Sequence, residues 1–414
     1  MPFPDAIEHD SAASPRWLSI VGIGEDGVAG LSPVARGLIE AAEIVFGGRR
    51  HLGLAAPLIR GAARPWPSPF DGAAEEVARH RGRQVCVLAS GDPFQYGVGA
   101  VLARHIEARE MMVVPGLSAF SLAAARLGWP LPHTALLSLH GRNLDLIRPH
   151  LQPGARILAL TSDGAGAAAL AKTLTETGFG ASRLTILEAL GGPRERVRAI
   201  VADAFDFGAV DPLNTVAIEV VASPGARVIA RAPGLADNLF EHDGQITKRE
   251  IRAMTLSSLA PRRGELLWDI GAGSGSVAIE WMLADPIMRA IAVEQRTDRA
   301  ARIRRNAAAF GVPGLEVVEG AAPSALAGLA APDAVFIGGG AEAAVLDGAS
   351  RALRSGGRLV ANAVTLETEA LLLARHAALG GELTRIAISR ADAVGSKTGW
   401  RAAMPVTQWV WTKP

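Results

Sequence analysis

The chain has 414 residues, 49% of them hydrophobic and 20% charged, which excludes a mainly disordered polypeptide and a single ordinary core. Lys+Arg 42 against Asp+Glu 41 leaves a formal net charge of +1, which argues against a globally basic nucleic-acid binder. One cysteine, Cys86, excludes a disulfide within the chain and a cysteine-based zinc site. Residues 1–16 read as a polar tail without the marks of a signal peptide. No apolar run reaches the roughly 18 residues of a membrane span, so a cytoplasmic α/β protein is expected.

Strand-like runs then alternate with amphipathic helices, the pattern of a mostly parallel sheet. In the first half the expected strands are 17–23, 84–89, 111–114, 135–139, 156–161, 184–187 and 216–221, with a further short one near 44–46. Ser32 and Pro33 predict the start of a helix over 33–45. A Gly-, Pro- and Asp-rich stretch at 223–244 reads as a linker between a domain at 17–222 and another at 245–414. In the second half the strands are expected at 265–270, 290–294, 315–318, 334–337, 358–361, 383–389 and 406–411. Five strand–helix units followed by two closing strands is a distinctive order.

The second half carries the sharper chemistry. Asp269-Ile270-Gly271-Ala272-Gly273-Ser274-Gly275 follows an apolar strand and opens a helix expected over 277–282. Glycines at alternate positions let backbone approach a ligand, and the helix N-terminus offers free N–H groups. A nicotinamide fingerprint would need a third glycine at position 276, which is Ser276. The spacing is instead the G-x-G-x-G of S-adenosylmethionine methyltransferases. Glu294 ends the next strand, where a carboxylate can accept both hydroxyl protons of a ribose. Gly320, Ala321 and Ala322 end the third strand and leave room for a flat adenine. Upstream, Thr247 and Glu250 predict a capping box. Lys248 and Arg252, four residues apart, are candidates to hold substrate carboxylates. Gly338–Gly340 and Asn362 fall at the ends of the fourth and fifth strands, where open α/β sheets bind ligands. Lys397, Trp400 and Arg401 form a late segment that reads either as a cover for that site or as a plain hairpin.

In the first half, Gly22-Ile23-Gly24-Glu25-Asp26-Gly27 matches G-x-G-x-x-G after a strand. Its helix starts too late, and no acid follows the second strand, so a nicotinamide site is excluded. Ser90-Gly91-Asp92-Pro93 and Pro115-Gly116-Leu117-Ser118 place glycine and short polar groups at two further strand ends. His140 lies at another.

These motifs, with Pro212-Leu213-Asn214, resemble the tetrapyrrole (corrin-type) methylase family; Glu25-Asp26 stands where that family usually has Pro-Gly. The second half resembles the decarboxylating precorrin methyltransferase family through 247–252, 269–275, Glu294, 320–323 and 338–340. Together the resemblances cover about 17–413. They imply an N-terminal two-lobed methylase fold and a C-terminal seven-stranded class I S-adenosylmethionine methyltransferase fold of Rossmann-like type. They imply methyl transfer from S-adenosylmethionine to carbons 5 and 15 of an acidic, reduced tetrapyrrole (a precorrin) in cobalamin biosynthesis. Loss of carbon dioxide from its carbon-12 acetate accompanies this. Carbon 5 falls to the first domain, carbon 15 and decarboxylation to the second. A homo-oligomer, dimer or tetramer, is implied too.

On this reading Gly91, Asp92, Pro93 and Ser118 are cofactor-binding in the first half. Thr247, Gly271, Ala272, Gly273, Ser274, Gly275, Glu294, Gly320, Ala321 and Ala322 are so in the second. Lys248, Arg252, Gly339, Lys397 and Arg401 are substrate-binding, and Asp92, His140 and Asn362 are catalytic candidates. No metal is expected, because the ring is its own carbon nucleophile and the protein mainly has to align it with the methyl donor. Two rivals stand beside this. An RNA or protein methyltransferase with an accessory domain predicts a basic face with exposed aromatics. A non-catalytic tetrapyrrole carrier or S-adenosylmethionine-dependent regulator predicts binding of both ligands without release of S-adenosylhomocysteine.

Overall fold

The computed structural model describes residues 16–67 and 70–414; the expected tail over 1–16 lies outside them but for Arg16. The chain forms two compact units. One comprises the residues up to Arg142 plus Gln152–Arg227; the other comprises Asn143–Leu151 plus Val228–Pro414.

The first unit holds two five-stranded sheets. In one, β1 (Leu18–Ile23), β2 (Ile44–Gly47), β3 (Ala62–Pro65), β4 (Val85–Ser90) and β5 (Met111–Val114) lie all-parallel in the order β3-β2-β4-β1-β5. Both faces of the central strands are covered, and β1 and β2 are buried at every residue, as parallel sheets require. Cys86 is a fully buried core residue there, and burial pushes its thiol up to about 12. In the other sheet, β6 (Thr134–Ser138), β7 (Arg156–Leu160), β8 (Arg183–Glu188), β9 (Arg196–Val201) and β10 (Asn214–Glu219) are ordered β6-β7-β10-β8-β9. Only β6 and β7 are parallel neighbours.

The helix opened by Ser32 runs over Pro33–Ala41, with the Ser32 hydroxyl accepting the Ala35 N–H at 3.2 Å. It stops short of the expected position 45 because Ile44-Val45-Phe46 enter β2, where β-branched and aromatic side chains pack well. Two strands escaped the sequence reading. Both β3 and β9 are sheet edges with much of their length exposed, so neither shows a run of apolar residues.

The second unit is one seven-stranded sheet with a small hairpin. Its strands are β11 (Leu266–Ile270), β12 (Arg289–Glu294), β13 (Glu316–Glu319), β14 (Ala334–Ile337), β15 (Arg358–Ala363), β16 (Glu382–Ile386), β17 (Ser389–Val394), β18 (Lys397–Ala402) and β19 (Val406–Thr412). The order is β13-β12-β11-β14-β15-β19-β16, with β19 antiparallel to both neighbours, while β17 and β18 pair only with each other. The single strand expected over 383–389 is thus two. In the stretch read as a linker, Ile229, Leu235 and Phe240 join the core of this unit, and Phe240 stacks on Phe310 at 4.3 Å between ring centres. Each such fully buried side chain contributes roughly 1.5–3 kcal/mol, which ties the segment down. Its glycines and prolines mask three well-spaced anchors.

Candidate functional site

In the second unit the carboxyl ends of β11 to β15 converge on a cavity of about 690 Å³. Its wall includes Gly271, Ala272 and Gly273 after β11, Glu294 at the end of β12, and Gly320, Ala321 and Ala322 after β13. The turn after β11 passes so near the turn after β14 that a Cβ on Gly271 would lie 2.5 Å from the Gly339 carbonyl oxygen. Gly271 also has φ +71°, a conformation that costs other residues roughly 1–2 kcal/mol. Glu294 is 4% exposed. Its carboxylate accepts the Gly273 N–H at 2.9 Å and the Arg296 N–H at 3.0 Å, one on each oxygen. Each oxygen keeps a further lone pair. The acid is therefore fixed to the glycine turn and still able to accept from a ligand.

Asp269 lies behind it, 1% exposed and on the cavity wall. Burial pushes its carboxyl up to about 7; the Ala278 N–H, at 3.0 Å, opposes this and the nearby Glu294 charge adds to it.

Of the residues expected here, Thr247, Lys248, Gly339 and Asn362 also line the cavity. Ser274 and Gly275 do not. Ser274 is 1% exposed, and its carbonyl accepts from the Asn306 side chain at 2.9 Å. Gly275 faces Ile303. They build the turn rather than face a ligand.

Arg252 is the clearest correction: its side chain is wholly buried beneath the helix Arg249–Leu259. It donates to Glu280 at 2.6 Å, to Asp237 at 3.2 Å and to the carbonyls of Thr247 and Leu235. A guanidinium so spent on its own protein cannot hold a substrate carboxylate. The capping box also fails. The helix begins at Arg249 with Lys248 as N-cap, no side chain caps it, and Glu250 pairs with Arg390 instead.

Lys397 and Arg401 sit on β18, outside the cavity wall, and Arg401 pairs with Asp392 at 2.9 Å. Two arginines that sequence reasoning missed do line the cavity: Arg390, and Arg299, which pairs with Asp243 at 2.9 Å. Asn362 is held by a buried network in which its Nδ2 donates to the Thr255 hydroxyl at 3.0 Å and its Oδ1 accepts from Gln408 Nε2 at 2.9 Å.

The first unit has its own cavity, of about 700 Å³. The ends of β1, β4 and β5 close its floor backbone against backbone. A Cβ on Gly22 would fall 1.8 Å from the Gly91 oxygen and 2.3 Å from the Gly116 nitrogen, so only glycine fits. The decoy motif thus has a packing purpose. Gly91, Asp92, Ser118 and His140 line the cavity, whereas Pro93 is buried beneath the loop. Asp92 accepts the Phe94 N–H at 2.8 Å, and Ser118 caps the helix Ala119–Leu127. His140 Nδ1 lies 3.3 Å from the Thr161 carbonyl.

A cluster absent from the sequence reading also faces this cavity. Arg50 pairs with Glu25 and donates to Ser90 Oγ at 2.9 Å, and it meets His51 Nε2 at 2.7 Å. Burial, then the Arg50 charge, press the His51 imidazole down to about 4 against the upward pull of Glu25. Arg50 and His51 follow Gly47-Gly48, where only an acid had been sought. Among the described residues, no three His, Cys, Asp or Glu side chains gather as a metal-ligand group. No helix among them is long and apolar enough to cross a membrane.

Comparison with known proteins matches both halves of the chain to described families. A family model described as tetrapyrrole (corrin/porphyrin) methylases matches residues 18–205, and one described as a precorrin methyltransferase domain matches 238–413. A precorrin-6Y C(5,15)-methyltransferase [decarboxylating] of Sinorhizobium sp is 61% identical over 410 residues, covering 99% of each chain. A probable cobalt-precorrin-6B C(15)-methyltransferase (decarboxylating) of Saccharolobus solfataricus is 34% identical over 184 residues, 42% of this chain and 92% of that one. A cobalt-precorrin-7 C(5)-methyltransferase of Salmonella typhimurium is 29% identical over 187 residues, 45% of this chain and 92% of that one.

Proposed function

Given that the chain belongs to the family of decarboxylating precorrin-6Y C(5,15)-methyltransferases, we propose that its two cavities are two methyl-transfer sites acting on one acidic tetrapyrrole. It is a transferase of cobalamin biosynthesis. The substrate is precorrin-6B, methylated at carbons 5 and 15, with the carboxyl group of the carbon-12 acetate lost as carbon dioxide and a methyl group left on that carbon, giving precorrin-8. The methylase domain takes carbon 5, and the precorrin methyltransferase domain takes carbon 15 and the decarboxylation. The names of the two shorter relatives support that division.

The observation that carries this reading is Glu294. A nearly buried carboxylate is clamped to the Gly273 N–H and still lines an open cavity, as the ribose of a nucleoside donor requires. The cradle fits S-adenosylmethionine: a side chain on Gly271 would collide with backbone, and Gly320–Ala322 present only small groups. When bound, S-adenosylmethionine supplies a methyl group already activated by its sulfonium. Glu294 then fixes the donor's sugar, and Asn362, immobilised by Thr255 and Gln408, is positioned to orient the ring. Lys248 at the rim is exposed and takes a peripheral carboxylate. In the first cavity Asp92, Ser118 and His140 line the wall beyond the ends of β4, β5 and β6 and supplement main-chain contacts to the ligands. A cytoplasmic location and a homo-oligomer belong to the same proposal.

The test is direct. The protein is incubated with S-adenosylmethionine and precorrin-6B, and the product mass is read. Two added methyl groups with one carbon dioxide lost are expected. Gly273→Arg should leave one methyl group and no decarboxylation. A chain that binds no S-adenosylmethionine ends the proposal.

A further inference from the structure

The cavity of the first unit is lined by two arginines, and their surroundings differ. Arg50 is neutralised by Glu25, and Glu25 is in turn shared with Arg194 at 3.2 Å. Arg142 has no carboxylate partner among the described residues. Its guanidinium instead lies over the ring of Tyr96, 5.6 Å from the centroid. A guanidinium held over a ring by cation–π attraction spends none of its N–H groups there and keeps them for bidentate contact.

The platform is itself built. Tyr96 has φ +60°, which is uncommon for a side-chain-bearing residue and is kept only where the surroundings enforce it. Its hydroxyl donates to the Leu136 carbonyl at 3.1 Å, and its ring packs edge-on against Phe120 at 6.0 Å. Tyr96 lines the cavity. Much of the remaining wall is apolar, including Leu117, Leu187 and Leu190.

We infer that Arg142, stacked on Tyr96, is the carboxylate anchor that docks the acidic tetrapyrrole in the first cavity and sets its affinity there. The inference rests on the functional reading above and names a residue for it. The two N–H groups of one guanidinium edge meet the two oxygens of one peripheral acetate or propionate, a pairing stronger than a neutral hydrogen bond. Because the donor's main contacts lie at the ends of β1, β4 and β5 whereas Arg142 follows β6, loss of Arg142 weakens the tetrapyrrole and leaves the donor untouched.

The experiment uses the full chain, with precorrin-6B and S-adenosylmethionine as substrates and S-adenosylhomocysteine as the binding probe. Arg142→Met keeps an unbranched stem over the ring and removes the charge. Its KM for the tetrapyrrole in carbon-5 methylation should rise at least tenfold. kcat, carbon-15 methylation and S-adenosylhomocysteine affinity should stay within twofold. Arg142→Lys should recover part of the loss. Raising the ionic strength should raise the wild-type KM and leave that of Arg142→Met nearly flat. An active Arg142→Met with unchanged KM, or one whose loss falls on S-adenosylhomocysteine affinity, overturns the assignment alone. A wild-type chain that binds S-adenosylhomocysteine yet methylates no precorrin overturns the functional reading, and the assignment with it.

Discussion

Asp269→Asn is the sharpest probe of how the second cavity is wired. Burial raises the wild-type carboxyl to about 7 in the folded chain from its ordinary value of 3.8. A raised acid is a group whose folded form binds protons more tightly than its unfolded form. Its favourable contribution is therefore complete below 3.8 and is lost as pH rises through 7. Each pH unit in that window removes about 1.4 kcal/mol, so passing from pH 5 to pH 8 should cost the wild type about 3 kcal/mol in this unit. Asparagine cannot ionise, and its Oδ1 can still accept the Ala278 N–H. Its added amide protons carry a fixed penalty of about 1–3 kcal/mol for entering a buried site, but that penalty does not vary with pH. The difference between the two proteins should thus swing toward the variant by about 3 kcal/mol across the window, whatever its starting sign. The assay is a urea titration in which a brief deuterium pulse reports protection of the Leu266–Ile270 amides, which confines the readout to the second unit. A difference that stays flat from pH 5 to pH 8 refutes the coupling between Asp269, its burial and Glu294.

Glu294→Gln places an amide NH₂ against one of the two backbone N–H groups, Gly273 or Arg296, that the carboxylate now accepts. One buried donor then goes unpaired at about 1–3 kcal/mol, and S-adenosylhomocysteine binding by calorimetry should weaken at least tenfold at one of two sites. Arg252→Met strips Glu280 of its buried partner and should destabilise the second unit by about 3–5 kcal/mol in the same pulse assay; a loss below 1 kcal/mol would contradict its structural role. His51, held at about 4 by burial and Arg50, should stay neutral at pH 5.5 in histidine-labelled NMR spectra, and a midpoint above 6 would contradict that environment. Because its pKa is depressed, its contribution is present above 6.5 and lost as pH falls toward 4, a slope that His51→Gln should remove.

What the sequence disclosed, and what it hid, follows from where each signal resides. The succession of strands was legible because β11, β14 and β15 are buried at every residue and so appear as mostly apolar runs, interrupted only by Asp269, Arg358 and Asn362. The turn over 269–275 was legible because its chemistry sits in main-chain geometry that only glycine provides. Arg252 was misread because spacing on a helix says which residues share a face, not whether that face meets ligand or core. Its partners Glu280 and Asp237 lie 28 and 15 residues away, and no periodicity links them. Ser274 was misread for a related reason: a residue within a binding motif can serve the turn alone. Arg50 and His51 open the helix Arg49–Ala55 and Arg142 lies after β6, and they escaped because only the fold brings these distant positions to one cavity.

If both cavities take the donor as proposed, they grip it by different means, and this decides how each should fail. The second has a carboxylate with spare lone pairs, Glu294, so a side-chain change there should lower affinity while the fold survives. The first has no equivalent acid. Asp92 is turned to the Phe94 N–H, and Glu25 is consumed by Arg50 and Arg194. Its hold on a donor must come largely from main-chain groups at the ends of β1, β4 and β5, which meet with no room for a Cβ at Gly22. Relief of a 1.8 Å approach between Cβ and a backbone oxygen requires the strand ends to separate, because no rotamer is available to yield. Gly22→Ala should therefore abolish carbon-5 methylation and cut S-adenosylhomocysteine stoichiometry from two to one, with carbon-15 methylation and decarboxylation retained. A Gly22→Ala protein that keeps both methylations would mean that the first cavity does not depend on that backbone contact.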